Sequence, residues 1–79
     1  MSFTFWPTDL DFEKNIMCVR RLTLVRENPI KHIWIERNGI AHDVMSCHIR
    51  PDGWFAYSVA DYGEFRCELC EINKVEIAL

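Results

Sequence analysis

Three turn signals punctuate the stretch from Ile33 to Leu69, and between them they hold every glycine in the chain: Asn38-Gly39, Pro51-Asp52-Gly53 and Asp61-Tyr62-Gly63. Asn-Gly between alternating strands is the strongest short hairpin signal, because a type I′ turn needs positive φ at both central positions. In Pro51-Asp52-Gly53, Pro presets φ and Gly tolerates the left-handed region. The runs between these turns alternate. Ile33 and Ile35 interleave with His32, Trp34 and Glu36, so the isoleucines point to a core and Trp34 to the outer face. On the return strand, Ile40 to Arg50, Met45, Cys47 and Ile49 share one face while Val44, Ser46 and His48 share the other. Phe55, Tyr57 and Val59 form the next inward set, followed by Phe65, Cys67 and Leu69. The spacing then slips from two to three at Leu69 to Ile72, which calls for a bulge or one 3₁₀ turn around Cys70-Glu71. Val75, Ile77 and Leu79 make a last short strand.

The N-terminal third is read as follows. Thr4 between Phe3 and Phe5 fits a short strand ended by Pro7, which with Trp6 makes an aromatic N-terminal arm, and Thr8 with Asp11 suggests a weak capping box for one or two helical turns through Lys14. That arm either covers an open end of the fold or presents Phe3, Phe5 and Trp6 to a partner. Ile16 to Arg26 is apolar on both parities, as expected of a long strand sandwiched between two layers. Glu27-Asn28-Pro29 ends it. Five or six strands spaced about 8 to 12 residues apart predict an all-β domain spanning residues 1–79, closed into a small antiparallel barrel that leaves no edge uncovered.

At 79 residues the chain buries only about 60 to 65% of the surface it exposes when unfolded, so help from a second copy is an expectation. The net charge of −3 is uneven: residues 16–50 carry six Lys or Arg against three acids, and residues 51–79 carry two against six. This balance argues against a nucleic-acid backbone as partner. No basic leader or membrane-length apolar run is present, which points to the cytoplasm, where Cys18, Cys47, Cys67 and Cys70 are expected as thiols.

Asp61-Tyr62-Gly63, followed by Glu64-Phe65-Arg66-Cys67-Glu68-Leu69, resembles the Tudor branch of the SH3-like barrels over Ile33 to Leu79. The resemblance implies an aromatic cage for a cationic peptide side chain, with Tyr62 as the cage tyrosine and Trp34 or Trp54 nearby. Glu64 stands where that family usually has Asn. In architecture alone the chain is also similar to the plasmid-encoded type II dihydrofolate reductases, which build a pore from four subunits. Val75-Glu76-Ile77-Ala78 keeps two apolar positions of their Val-Gln-Ile-Tyr run but neither the Gln nor the Tyr.

Cys67-Glu68-Leu69-Cys70 has zinc-ligand spacing, with Cys47 and His48 available to complete a site, yet residues three apart on a strand face opposite ways. The same geometry separates the members of His42-Asp43 and Cys47-His48. These features predict no metal, no cofactor and no catalytic residue. The expected function is a binding or assembly module that engages a peptide or protein through Tyr62, Trp34 and Trp54. The alternative is a homo-oligomer with a small-molecule or enzymatic site at its subunit interface.

Overall fold

The computed structural model describes all 79 residues. In chain order the elements are β1 (Ser2–Phe5), α1 (Phe12–Leu24), β2 (His32–Arg37), β3 (Ile40–Val44), β4 (Ser46–Ile49), β5 (Phe55–Val59), β6 (Gly63–Cys67), a 3₁₀ turn (Leu69–Glu71) and β7 (Ile72–Ala78). The strands form two antiparallel sheets, ordered β1-β7-β2-β3 and β4-β5-β6.

The turns form where the sequence places them. Asn38 and Gly39 both take positive φ, at 50° and 80°, and fix the register Arg37↔Ile40 through Ile33↔Val44. Gly53 and Gly63 also lie in the left-handed region, as does Asp61. The slip in apolar spacing before Ile72 is the 3₁₀ turn, whose 3.0 Å Glu71 N–H to Glu68 carbonyl bond closes the loop between the two sheets.

Several expectations are corrected. There are seven strands rather than five or six, and the sheets do not close into a barrel. The mostly β fold also carries one substantial helix: Ile16 to Arg26 is not a strand, since α1 runs from Phe12 to Leu24. The short helix expected over Thr8 to Lys14 therefore starts later and runs on. Asp11 flanks its start without a side-chain cap, and no Thr8-Asp11 capping box forms. Helical spacing explains both apolar parities: Phe12, Ile16 and Val19 lie at i, i+4 and i+7 on one buried stripe, with Met17, Cys18 and Arg20 outside it. The short strand expected at Phe3-Thr4-Phe5 does form, as the edge strand β1, in register with Ile77, Glu76 and Val75 of β7.

The barrel stays open because the chain bends at Met45. Along β3 the inward side chains, His42 and Val44, have even numbers, and along β4 Cys47 and Ile49 have odd ones, so one residue is spent turning the chain from the first sheet to the second. Met45 faces solvent while its N–H donates to the Ser58 carbonyl at 2.7 Å. That bond carries the chain across to β5, and beyond it β3 and β5 diverge without pairing. Fourteen buried residues form one core cluster, with Phe55, Ile35, Val75, Cys47 and Cys67 between the sheets and Phe12, Ile16 and Val19 joining from α1, which packs on β4.

Replacing Ile16 with Ala should cost about 2–5 kcal/mol in denaturant unfolding, and Met17→Ala should stay within about 0.5 kcal/mol. Equal losses at the two positions would contradict the helical stripe.

Candidate ligand-binding face

The outer face of the first sheet is built by register. Trp34 on β2 lies between Asp43 of β3 and Glu76 of β7, and the next row holds Ala41, Glu36 and Lys74. Partners directly opposite in an antiparallel pair project to the same side. The truncated side chain of Ala41 leaves room between larger neighbours, and a cleft of about 310 Å³ opens there, lined by Trp34, Glu36, Ala41, Lys74 and Glu76. His32, two residues before Trp34 on the same face, stacks on the indole with ring centroids 5.1 Å apart and planes 18° from parallel. Three carboxylates, Glu36, Asp43 and Glu76, thus surround a half-buried aromatic slab and meet one ammonium, Lys74. None of the four charges lies within 4.0 Å of an opposite charge. The face presents a ring quadrupole and unpartnered negative charge, the two features that attract a cation.

The other expected site residues lie elsewhere. Trp54 precedes β5 and Tyr62 follows it, so the length of that strand, roughly 17 Å, separates them. Tyr62 is 78% exposed at the tip of the β5–β6 turn, where its N–H donates to the Val59 carbonyl at 3.2 Å. Trp54 is half exposed beside Asp52 and Arg66, and its N–H donates to Asp52 Oδ1 at 3.1 Å. That bond, with the Arg50 guanidinium, holds the Asp52 carboxyl below its ordinary pKa. Neither ring stacks on another aromatic, and neither shares the cleft of Trp34. Trp34, Tyr62 and Trp54 therefore do not form one cage.

A cluster the sequence reading missed sits where the two sheets approach. Arg37 has inward parity at the end of β2. Its Nη1 donates to Tyr57 Oη at 3.0 Å, while Nη2 and Nε donate to Glu71 Oε1 at 3.0 and 3.3 Å. The same oxygen accepts Asn38 Nδ2 at 3.3 Å, and Oε2 accepts the Glu68 N–H at 2.9 Å. Tyr57 is buried, stacked on Phe65 at 5.7 Å and tilted against His42 at 6.1 Å. Arg37 consequently holds its proton more tightly, chiefly through Tyr57 and then Glu71. Glu71 is shifted down by the Glu68 N–H first and by Arg37 second. All members of this cluster are mutually satisfied, so its role is to tie β2, β5 and the 3₁₀ turn together.

The remaining polar pairs separate as strand geometry requires. His42 faces Tyr57 and Asp43 faces Trp34's side; Cys47 is buried and His48 lies on the outer face. Cys67 is buried while Cys70 is exposed, with Sγ 3.5 Å from Glu68 Oε2. No group of three or more His, Cys, Asp or Glu is arranged to hold a metal ion. Burial pushes the Cys47 thiol up to about 12 and also raises Cys67; the contact with Glu68 is the main cause of the upward shift at Cys70.

No family model matches the chain, and neither the curated proteins nor the solved structures yield a match.

Two measurements check this assignment. Because Glu71 titrates lower in the folded chain than in the unfolded one, its contribution is complete above the ordinary glutamate pKa and is lost as pH falls through the lowered value. Glu71→Gln should therefore flatten the acid limb of the stability curve, and Tyr57→Phe should cost about 1.5–3 kcal/mol at neutral pH, the range for a hydrogen bond to a charged group. Separately, a thiol reagent should modify Cys18 and Cys70 in the native protein and reach Cys47 and Cys67 only on unfolding.

Proposed function

We propose that the chain is a small binding module whose Trp34 face engages a cationic segment of a peptide or protein partner. The observation that carries this reading is the cleft in which the indole lies with Glu36 and Glu76, Asp43 standing opposite Trp34 on β3, and no ion pair satisfies the three carboxylates. A lysine or arginine side chain fits such a site: its alkyl stem covers the ring and its charge reaches the carboxylates. Lys74 competes with such a ligand from inside the site. Chain order also supports the SH3-like relation: three hairpins, a 3₁₀ turn and a last strand returning to β2. That relation concerns strand order, not closure. Tyr62, at the turn, contributes nothing to the Trp34 cleft.

The signs of three substitutions test the reading. In titrations with an arginine- and lysine-bearing peptide, Trp34→Ala and Glu36→Gln should each weaken binding, by about tenfold for the indole. Lys74→Gln should strengthen it, and added salt should weaken it in every variant. Unchanged affinity on Trp34→Ala, or weaker binding on Lys74→Gln, would remove this face as the site.

A second reading, self-association, is favoured by β1. This edge strand has one side unpaired and carries exposed Phe3, with Trp6 and Leu79 exposed nearby. Edges of this kind pair with another chain unless blunted by charge or proline. Phe3→Lys should shift the light-scattering mass to that of one chain if copies pair through β1.

A further inference from the structure

On the other side of the molecule, α1 and β4 enclose a second cleft of about 300 Å³, lined by Glu13, Met17, Arg20, His48, Ile49, Arg50 and Pro51. Its shape follows from two periodicities. Glu13, Met17 and Arg20 share one helical stripe beside the buried one, and His48 and Arg50 share the outward parity of β4. Met17, Ile49 and Pro51 supply an apolar wall, and Arg20, His48 and Arg50 supply nitrogen donors. Arg20 has no carboxylate within 4.0 Å, and Arg50 is half-buried with Nε held by Asp52 at 3.3 Å and Nη1 4.0 Å from Glu64. Glu13 lies seven residues before Arg20, roughly 10 Å along the axis, so its charge marks the opposite end of the cleft.

We infer that this cleft binds an oxyanion carried on an apolar group, such as a carboxylate, sulfonate or phosphate ester. The anion sits among Arg20, His48 and Arg50, and the apolar part lies against Met17, Ile49 and Pro51. An oxyanion with two or more oxygens can accept from two guanidinium forks, and an adjacent imidazole adds a donor once protonated. The His48 pKa is held below its ordinary value by burial and by the repulsion of Arg20 and Arg50, with Glu64 opposing. Burial sets this sign and the two guanidiniums reinforce it. A bound anion opposes the guanidinium contribution. Linkage then requires the affinity to rise as pH falls through the His48 titration, with Glu13, Glu64, Arg20 and Arg50 the other charges facing the site.

Benzenesulfonate is a suitable probe because its charge does not change over that pH range. The His48 ring resonance, assigned with His48→Gln, is followed by NMR across pH in the full chain, with the probe and with sodium chloride at equal ionic strength. The probe is expected to raise the His48 midpoint more than the chloride control does. Arg20→Gln should abolish the difference and weaken binding about tenfold, the loss expected of one charge-assisted hydrogen bond. Arg20 is exposed and unpaired, so the variant should keep the fold. Trp34→Ala should leave the response intact, which separates this site from the Trp34 face. A midpoint that moves equally with chloride, or that responds to the probe equally in Arg20→Gln, overturns the inference.

Discussion

The two sheets meet through the guanidinium of Arg37, which donates to Tyr57 of one sheet and to Glu71 at the turn between them. An unclosed pair of sheets has no continuous ladder to fix the mutual position of its halves, so directional bonds must supply what closure would have supplied. Arg37 can do this because a bulge after Glu36 shifts its pairing to Ile72, skipping Asn73. Asn73 then turns its side-chain oxygen to the Gly39 N–H at 2.8 Å, which fastens the β2–β3 turn to β7. A half-buried ion pair of this kind contributes little by charge alone. Its worth here lies in satisfying the Tyr57 hydroxyl inside the core and in leaving no buried side-chain polar atom without a partner.

Much of this was legible from Ile33 onward because the governing signals are local. Asn38-Gly39, Pro51-Asp52-Gly53 and the alternation of Ile33 and Ile35 each act over a few residues, and each forms as physics requires. The helix was misread because a β-branched run that is apolar on both parities satisfies a sandwiched strand and a helix equally well. The distinguishing signal was present in Phe12, Ile16 and Val19, whose spacing of four and three puts them on a single stripe, with Glu13, Lys14, Arg20 and Arg21 outside it. The bend at Met45 left no composition mark. Its only trace is that Val44 and Cys47, of opposite parity, are both apolar, and an unbroken strand cannot bury both against one core.

The candidate site was legible in part for the same reason. Strict alternation put Trp34 outside, but which charges stand beside it depends on register with β3 and β7, and register is a nonlocal quantity. Glu76 lies 42 positions along the chain from Trp34 and is its direct neighbour across the ladder. Tyr62 and Trp54 drew attention as aromatics near turns, yet the strand between them holds them apart. The Arg37–Tyr57–Glu71 cluster joins residues from three elements, and no spacing rule links them.

The charge asymmetry along the sequence acquires a spatial meaning in this fold. The acids of β7 and the β2–β3 hairpin gather on the outer face of the first sheet, while the arginines of α1 and β4 gather around His48 on the second. A chain with net charge −3 thus carries two faces of opposite local sign, separated by the core. Neutralisation between them is prevented by the same layer of Ile35, Val75, Cys47 and Phe55 that holds the sheets together. Arg20 on one face and Glu36, Asp43 and Glu76 on the other have no opposite charge within 4.0 Å, whereas Arg50 is paired with Asp52. For the Trp34 face the excess comes from Glu36, Asp43 and Glu76 against a single lysine, and any partner that brings its own cation competes there only with Lys74.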